Sequence, residues 1–285
     1  MSARATDIVL TALAPMIWGS TYLVTTSFLA GFPPLTVAML RALPAGLLLL
    51  LIVRRLPWGP WWTRCFVLGA LNFSLFWFFL FVAAYRLPGG VAATVGAVQP
   101  LIVILMARVA LATPIRASAL LAAAIGLLGV ALLVLSPAAA LDPVGVAAAL
   151  IGTTCMAAGT VLTRRWQPPV PLVTFTAWQL AAGGLLLLPP VLFLEPIPAA
   201  FDRANALALA WIGLVGAAMT YILWFRGIAR LEPSVVSSLG FLSPVTAILL
   251  GWLVLGETLS LPQILGIGMV IASIWFGQRA ARARS

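Results

Sequence analysis

Long apolar stretches alternate with short polar connections along the entire chain. Ten stretches stand out, at roughly 8–29, 34–53, 65–85, 90–111, 117–135, 144–163, 171–194, 205–225, 234–255 and 260–277. Most reach about 20 residues, enough to cross a hydrocarbon core of ~30 Å at ~1.5 Å per residue. The first is too long for a signal-peptide core, lacks a small-residue cleavage site and is preceded by Asp7, so it is read as a span. The connections leave no room for a soluble domain. The pattern predicts an all-α integral membrane protein with ten transmembrane helices.

The two halves resemble each other. A shift of 137 carries residues 34–50 onto 171–187 and matches Pro34, Leu35, Leu43, Ala45, Gly46, Leu48, Leu49 and Leu50 to identical partners. A shift of 144 matches Arg86, Leu87, Val91, Gly96, Pro100, Ile104, Leu105 and Leu111. Leucine matches are cheap in so apolar a chain; the proline, arginine and Gly-x-x-x-Pro matches are not. The expected organisation is one five-helix repeat over 1–139 and a second over 140–285. Five is odd, so the halves enter the membrane from opposite sides, as an inverted repeat.

Gly96-Ala97-Val98-Gln99-Pro100 therefore returns as Gly240-Phe241-Leu242-Ser243-Pro244. A proline inside a helix has no N–H and crowds the carbonyl four residues back, so each helix is expected to break there. In lipid a freed backbone carbonyl needs protein or a water-filled cavity around it. Paired interruptions, one per half, point to a transport site, with Gly96, Pro100, Gly240 and Pro244 as hinge or gating positions. The plainer reading is that the kinks only shape helix packing.

Composition narrows the alternatives. The chain has 285 residues, 63% hydrophobic and 8% charged, with a net charge of +10, no histidine, and arginine as its only basic residue. In a soluble protein that charge suggests nucleic acid; here the arginines separate apolar runs and set orientation. With the N-terminus in the cytoplasm, thirteen of the sixteen arginines fall on the cytoplasmic side, and the even span count places both termini there. Two distant cysteines and no histidine argue against a metal site, and no cofactor is expected. An intramembrane enzyme needs a nucleophile–base pair or a metal, and neither pattern occurs.

Few polar side chains lie within the spans. Asn72, Gln99 and Ser243 are candidate cavity-lining groups for an amino acid's ammonium and carboxylate; the alternative is that they bond neighbouring helices. Trp77 falls on Tyr221 under the 144 shift, and with Trp18 and Trp224 these form a candidate aromatic lining, against the alternative of lipid-facing rings. Trp58, Trp61 and Trp62 read as an interfacial belt in a loop. Arg41 is the one arginine well inside a span, and Glu257 lies at the outer end of the ninth. They are expected to form an ion pair or gate, or Arg41 captures a substrate carboxylate. With no mid-span carboxylate, movement is expected to be facilitated or weakly proton-coupled.

Trp18-Gly19-Ser20, Pro34 with Arg41, Ala84-Tyr85, Pro100, Pro244, and Gly256-Glu257-Thr258-Leu259 with Gln263 and Gly266 resemble the EamA-type repeat of the drug/metabolite transporter superfamily. The resemblance covers nearly the whole chain and is greatest to bacterial inner-membrane exporters of aromatic amino acids. It implies a central cavity built by helices 1–4 and 6–9, with helices 5 and 10 to one side. It also implies a cell inner-membrane location and alternating-access export of amino acids, aromatic and apolar ones preferred. A carrier for drugs or cationic aromatic compounds is the alternative. The expected partners are a small-molecule substrate and the lipid bilayer, not nucleic acid, with the protein a monomer or homodimer. One position departs from the pattern: Thr113 stands where a glutamate matching Glu257 is expected.

Overall fold

The computed structural model describes residues 3–87, 95–134, 142–196, 198, 201–256 and 258–282. These residues form ten helical rods. They are α1 (Ala3–Phe28), α2 (Pro34–Val53), α3 (Trp61–Gly69, Ala70–Ser74 and Leu75–Arg86), α4 (Gln99–Leu111) and α5 (Ala117–Val134), then α6 (Pro143–Arg165), α7 (Leu172–Leu194), α8 (Arg203–Ala210, Trp211–Met219 and Thr220–Arg230), α9 (Pro233–Leu239 and Leu242–Leu255) and α10 (Leu261–Arg282). Nine are long and apolar enough to cross a membrane; the described part of α4 is shorter. The expected fourth span begins at 90, and its residues 90–94 lie outside the described residues. The chain is an all-α, multi-pass membrane protein.

The third and eighth rods begin earlier than their apolar runs suggest. Trp61 and Trp62 open α3 rather than lying in a loop. Trp61 is buried against Phe175, 6.3 Å away, under the Arg64 guanidinium, whereas Trp62 is exposed. Proline at 60 fits this start, because the first helical turn has no intrahelical partner for its N–H groups.

The middle segments of α3 and α8 are π-helical. A shift of 144 carries Ala70–Ser74 onto 214–218, inside Trp211–Met219. The widened turn breaks the i→i−4 ladder in the same place in each half. Helix packing is paired likewise. α3 packs on α6 and α8 on α1; α4 packs on α6 and α9 on α1; α2 packs on α7 and α5 on α10.

The α2–α7 crossing is close because two glycines permit it. A Cβ on Gly46 collides with the Ala181 backbone, and one on Gly184 lies 2.6 Å from the Leu43 Cα. Gly256 ends α9 with φ +68°, and its 144-shift counterpart Ala112 ends α4 with φ +55°. The left-handed turn is kept in both halves, with a glycine in only one.

Ion pairs sit at opposite ends of the bundle. Arg230, in the last turn of α8, pairs at 3.4 Å with Asp7 near the start of α1, and Arg226 adds a 2.7 Å bond. The counterpart Arg86, in the last turn of α3, pairs at 3.3 Å with Asp142 at the start of α6. Asp7 is buried, whereas Arg86 is half exposed and Asp142 about a third exposed. Glu195 reaches across to cap α2, accepting from the backbone N–H groups of Leu35 at 2.8 Å and Thr36 at 2.6 Å. A carboxylate there meets the positive end of the helix dipole.

Candidate functional site

A cavity of about 390 Å³ lies between the halves. This is within the range of small-molecule sites, roughly 300–1,000 Å³. Its walls come from α1, α2, α3, α4, α6, α8 and α9, with Val130 reaching in from α5. Among the described residues no α7 side chain lines it, which departs from the expected helix set.

The helix breaks form one wall. The turns at 97–98 in α4 and 240–241 in α9 fall within the two Gly-x-x-x-Pro motifs. At the second, the ladder tightens to i→i−3: Gly240 N–H donates to Ser237 O at 3.1 Å, and Ser243 N–H donates to Gly240 O at 3.1 Å. The carbonyl expected to be orphaned by Pro244 is thus satisfied locally. Gly96, Pro100, Gly240 and Pro244 all line the cavity. Gly19 lets α1 approach the second break, since a Cβ there lies 2.6 Å from Ser243 O.

Aromatic rings form much of the remaining lining. Trp18 packs on Tyr221 and Trp224 with centroids 5.0 and 5.1 Å apart, and Phe73 bridges Trp77 and Tyr221 from behind. Trp77, Tyr221 and Trp224 are nearly fully buried. All four aromatic candidates, Trp18, Trp77, Tyr221 and Trp224, line the cavity, as do Gln99 and Ser243.

Asn72 does not. Its amide donates to Thr163 Oγ1 at 3.1 Å and Gln179 Oε1 at 2.9 Å, tying α3 to α6 and α7. Its position in the π-segment turns it away from the cavity, and it packs against Gly159. The expectation that it lines the cavity is corrected: Asn72 bonds neighbouring helices. Trp178 likewise bonds the Arg55 carbonyl at 2.7 Å.

Arg41 enters the cavity from α2. One guanidinium nitrogen donates to Gly216 O at 2.7 Å, and the group sits 5.1 Å over the Trp77 ring. Gly216 can accept because the π-segment frees it: the Thr220 N–H, its α-helical partner, bonds Val215 and Ala217 instead. The same carbonyl accepts from Trp18 Nε1 at 3.1 Å and Thr220 Oγ1 at 2.9 Å. Glu257, the expected partner of Arg41, lies outside the described residues.

Of the six buried polar side-chain atoms without a partner among the described residues, three belong to the cavity lining. Arg41 Nε, Gln99 Nε2 and Trp224 Nε1 are buried with no hydrogen-bond partner. All three residues line the cavity, and no carboxylate is among its described lining. Sequence reading missed Phe76, Phe241, Thr153 and Met156 in the walls. The last two lie with Ala149 and Gly152 on one face of α6, a spacing of three and four that was legible. The π-segments carry no proline or other signal in the sequence.

A solved crystal structure superposes on this chain with a TM-score of 0.84, covering 99% of both chains at 21% identity, and so shares its fold. Protein PecM of Dickeya dadantii is 44% identical over 263 residues, covering 92% of this chain and 88% of the relative. The inner membrane transporter YedA of Escherichia coli K12 is 30% identical over 264 residues, covering 91% and 86%. The description "EamA-like transporter family" matches residues 6–135 and 143–276. With ten helical rods, a cavity among them and two family matches that together span nearly its whole length, this chain belongs to the EamA-like transporter family.

Proposed function

We propose that this transporter is a carrier that exports amino acids, aromatic and apolar ones preferred, across a bacterial inner membrane by alternating access. The observation that carries this reading is the cavity itself: it is walled by aromatic rings and by both Gly-x-x-x-Pro breaks. Rings suit a flat apolar side chain by stacking. Breaks in corresponding places let the helices around them rock against the rest.

The ion pairs fit the same cycle. Asp7 with Arg226 and Arg230 fastens one end of the bundle, and Asp142 with Arg86 fastens the other more loosely. In an inverted repeat over 1–139 and 140–285 these are counterparts, and exchanging tight for loose exchanges the open face. Both termini then lie in the cytoplasm, beside the arginine-rich ends. No charge-relay chain crosses the described cavity, so transport is facilitated or only weakly proton-coupled.

Counterflow tests the reading. Proteoliposomes are loaded with unlabelled phenylalanine and diluted into labelled tracer without an ion gradient. Transient, saturable accumulation, reduced by Trp77→Ala, is expected. A flat trace with folded protein removes the substrate assignment or the uncoupled mechanism.

A further inference from the structure

We infer that the cavity selects solutes by an anionic group, and that an ammonium on the solute is not recognised. This rests on the carrier reading above and names the chemistry of its site. Three residues that line the cavity each carry a buried donor without a partner: the Nε of Arg41, the amide of Gln99 and the indole Nε1 of Trp224. An unpaired buried donor carries the full cost of its desolvation, so a ligand that supplies an acceptor recovers it. A carboxylate supplies up to four acceptor sites and matches an arginine fork.

Charge points the same way. Of the five described carboxylates, Asp7, Asp142 and Glu232 pair with arginines, Glu195 caps α2 and Asp202 caps the start of α8. Among the described carboxylates none is left for Arg41. A monoanion bound beside Arg41 therefore neutralises a positive charge that no described carboxylate balances, and a cation adds to it. One of the ring faces that could hold a cation, that of Trp77, already carries the Arg41 guanidinium. An ammonium also needs acceptors, and Gly216 O is occupied by Arg41, Trp18 and Thr220.

Three solutes with one skeleton and different charge separate the possibilities: 3-phenylpropionate, phenylalanine and phenethylamine. Binding to the full-length protein in nanodiscs is measured by calorimetry at neutral pH. The expected order is phenylpropionate at least as tight as phenylalanine, and both at least about tenfold tighter than phenethylamine. Arg41→Gln, which removes the charge and the Nη2 bond to Gly216 but keeps a donor near the place of Nε, is expected to weaken phenylpropionate by about 10–100-fold, the range of a charged hydrogen bond. Trp224→Phe keeps an aromatic ring but removes the N–H together with part of the bicycle, which affects all three solutes alike; it is expected to weaken the two carboxylates more than phenethylamine. Phenethylamine binding as tightly as phenylpropionate, an order unchanged in both variants, or no binding of any of the three at millimolar concentration overturns the inference. Binding in the expected order without counterflow removes the carrier reading instead and leaves the inference standing.

Discussion

Arg41 on α2 donates to the carbonyl of Gly216 on α8 across 2.7 Å, so a buried cation is held by a carbonyl that only a π-segment makes available. A buried charge with no carboxylate among its described neighbours opposes stability, and replacing it by an apolar side chain is neutral or favourable. Arg41→Met is therefore expected to leave thermal stability in detergent unchanged or up to about 1 kcal/mol higher. Its transport is expected to fall at least tenfold, the loss of one charged hydrogen bond. Thermal unfolding and counterflow on the same preparation check this. A large stability loss assigns Arg41 a structural role.

Asn72 behaves in the opposite way. Asn72→Ala strands Gln179 Oε1 and Thr163 Oγ1 in the interior, at an expected cost of about 1–3 kcal/mol. Because its side chain bonds α6 and α7 rather than the cavity, the folded fraction should keep its apparent KM. A KM shift without a stability change would place Asn72 in the binding site after all.

The architecture was legible because membrane-spanning helices announce themselves by length and apolarity, and because Gly96, Pro100, Gly240 and Pro244 break chemistry that a helix needs. Gln99 was legible because a strong amide is costly against lipid; Trp77, Tyr221 and Trp224 were legible only as candidates, since rings also pack against lipid and the repeat pairing of Trp77 with Tyr221 was what favoured them. Asn72 misled for a physical reason. A polar side chain in a span must find a partner, but the rule does not say whether that partner is a solute or another helix. The π-segments were invisible, since Trp211–Met219 differs from an α-helix only in which carbonyl each N–H reaches. Without them the role of Gly216, and hence the placement of Arg41, has no sequence signature.

The two ends of the bundle should respond unequally. Asp7→Asn removes the carboxylate facing Arg226 and Arg230 and leaves two arginines without it. The expected cost is about 2–4 kcal/mol, somewhat below a fully buried pair because both arginines keep some exposure. Asp142→Asn, at an exposed pair, should leave the melting temperature nearly unchanged. Equal shifts for the two variants contradict the assignment of a tight and a loose end.

Transport should be flat between about pH 6 and 8. The chain has no histidine, the side chain whose ordinary pKa lies near that window, and the described cavity lining has no carboxylate. The Asp142 carboxyl is held below its usual range, first by the Val144 N–H and then by Arg86. Its folded value is below its unfolded one. Its contribution is therefore complete above the unfolded value near ~3.9 and is lost only as pH falls through the folded value, outside this window. Initial counterflow rates across that range check the expectation; a sigmoid centred there reveals a proton-coupled step.

The most direct test of alternating access is the accessibility of Ser243, in the second break and in the cavity wall. Ser243→Cys, made in a background with Cys65→Ala and Cys155→Ala, is treated with a membrane-impermeant maleimide in vesicles of each orientation. The account predicts labelling from each face, slowed by substrate, with Asp7→Asn shifting it toward the face that carries residue 7. Labelling from one face only, unaffected by substrate and by Asp7→Asn, would contradict it.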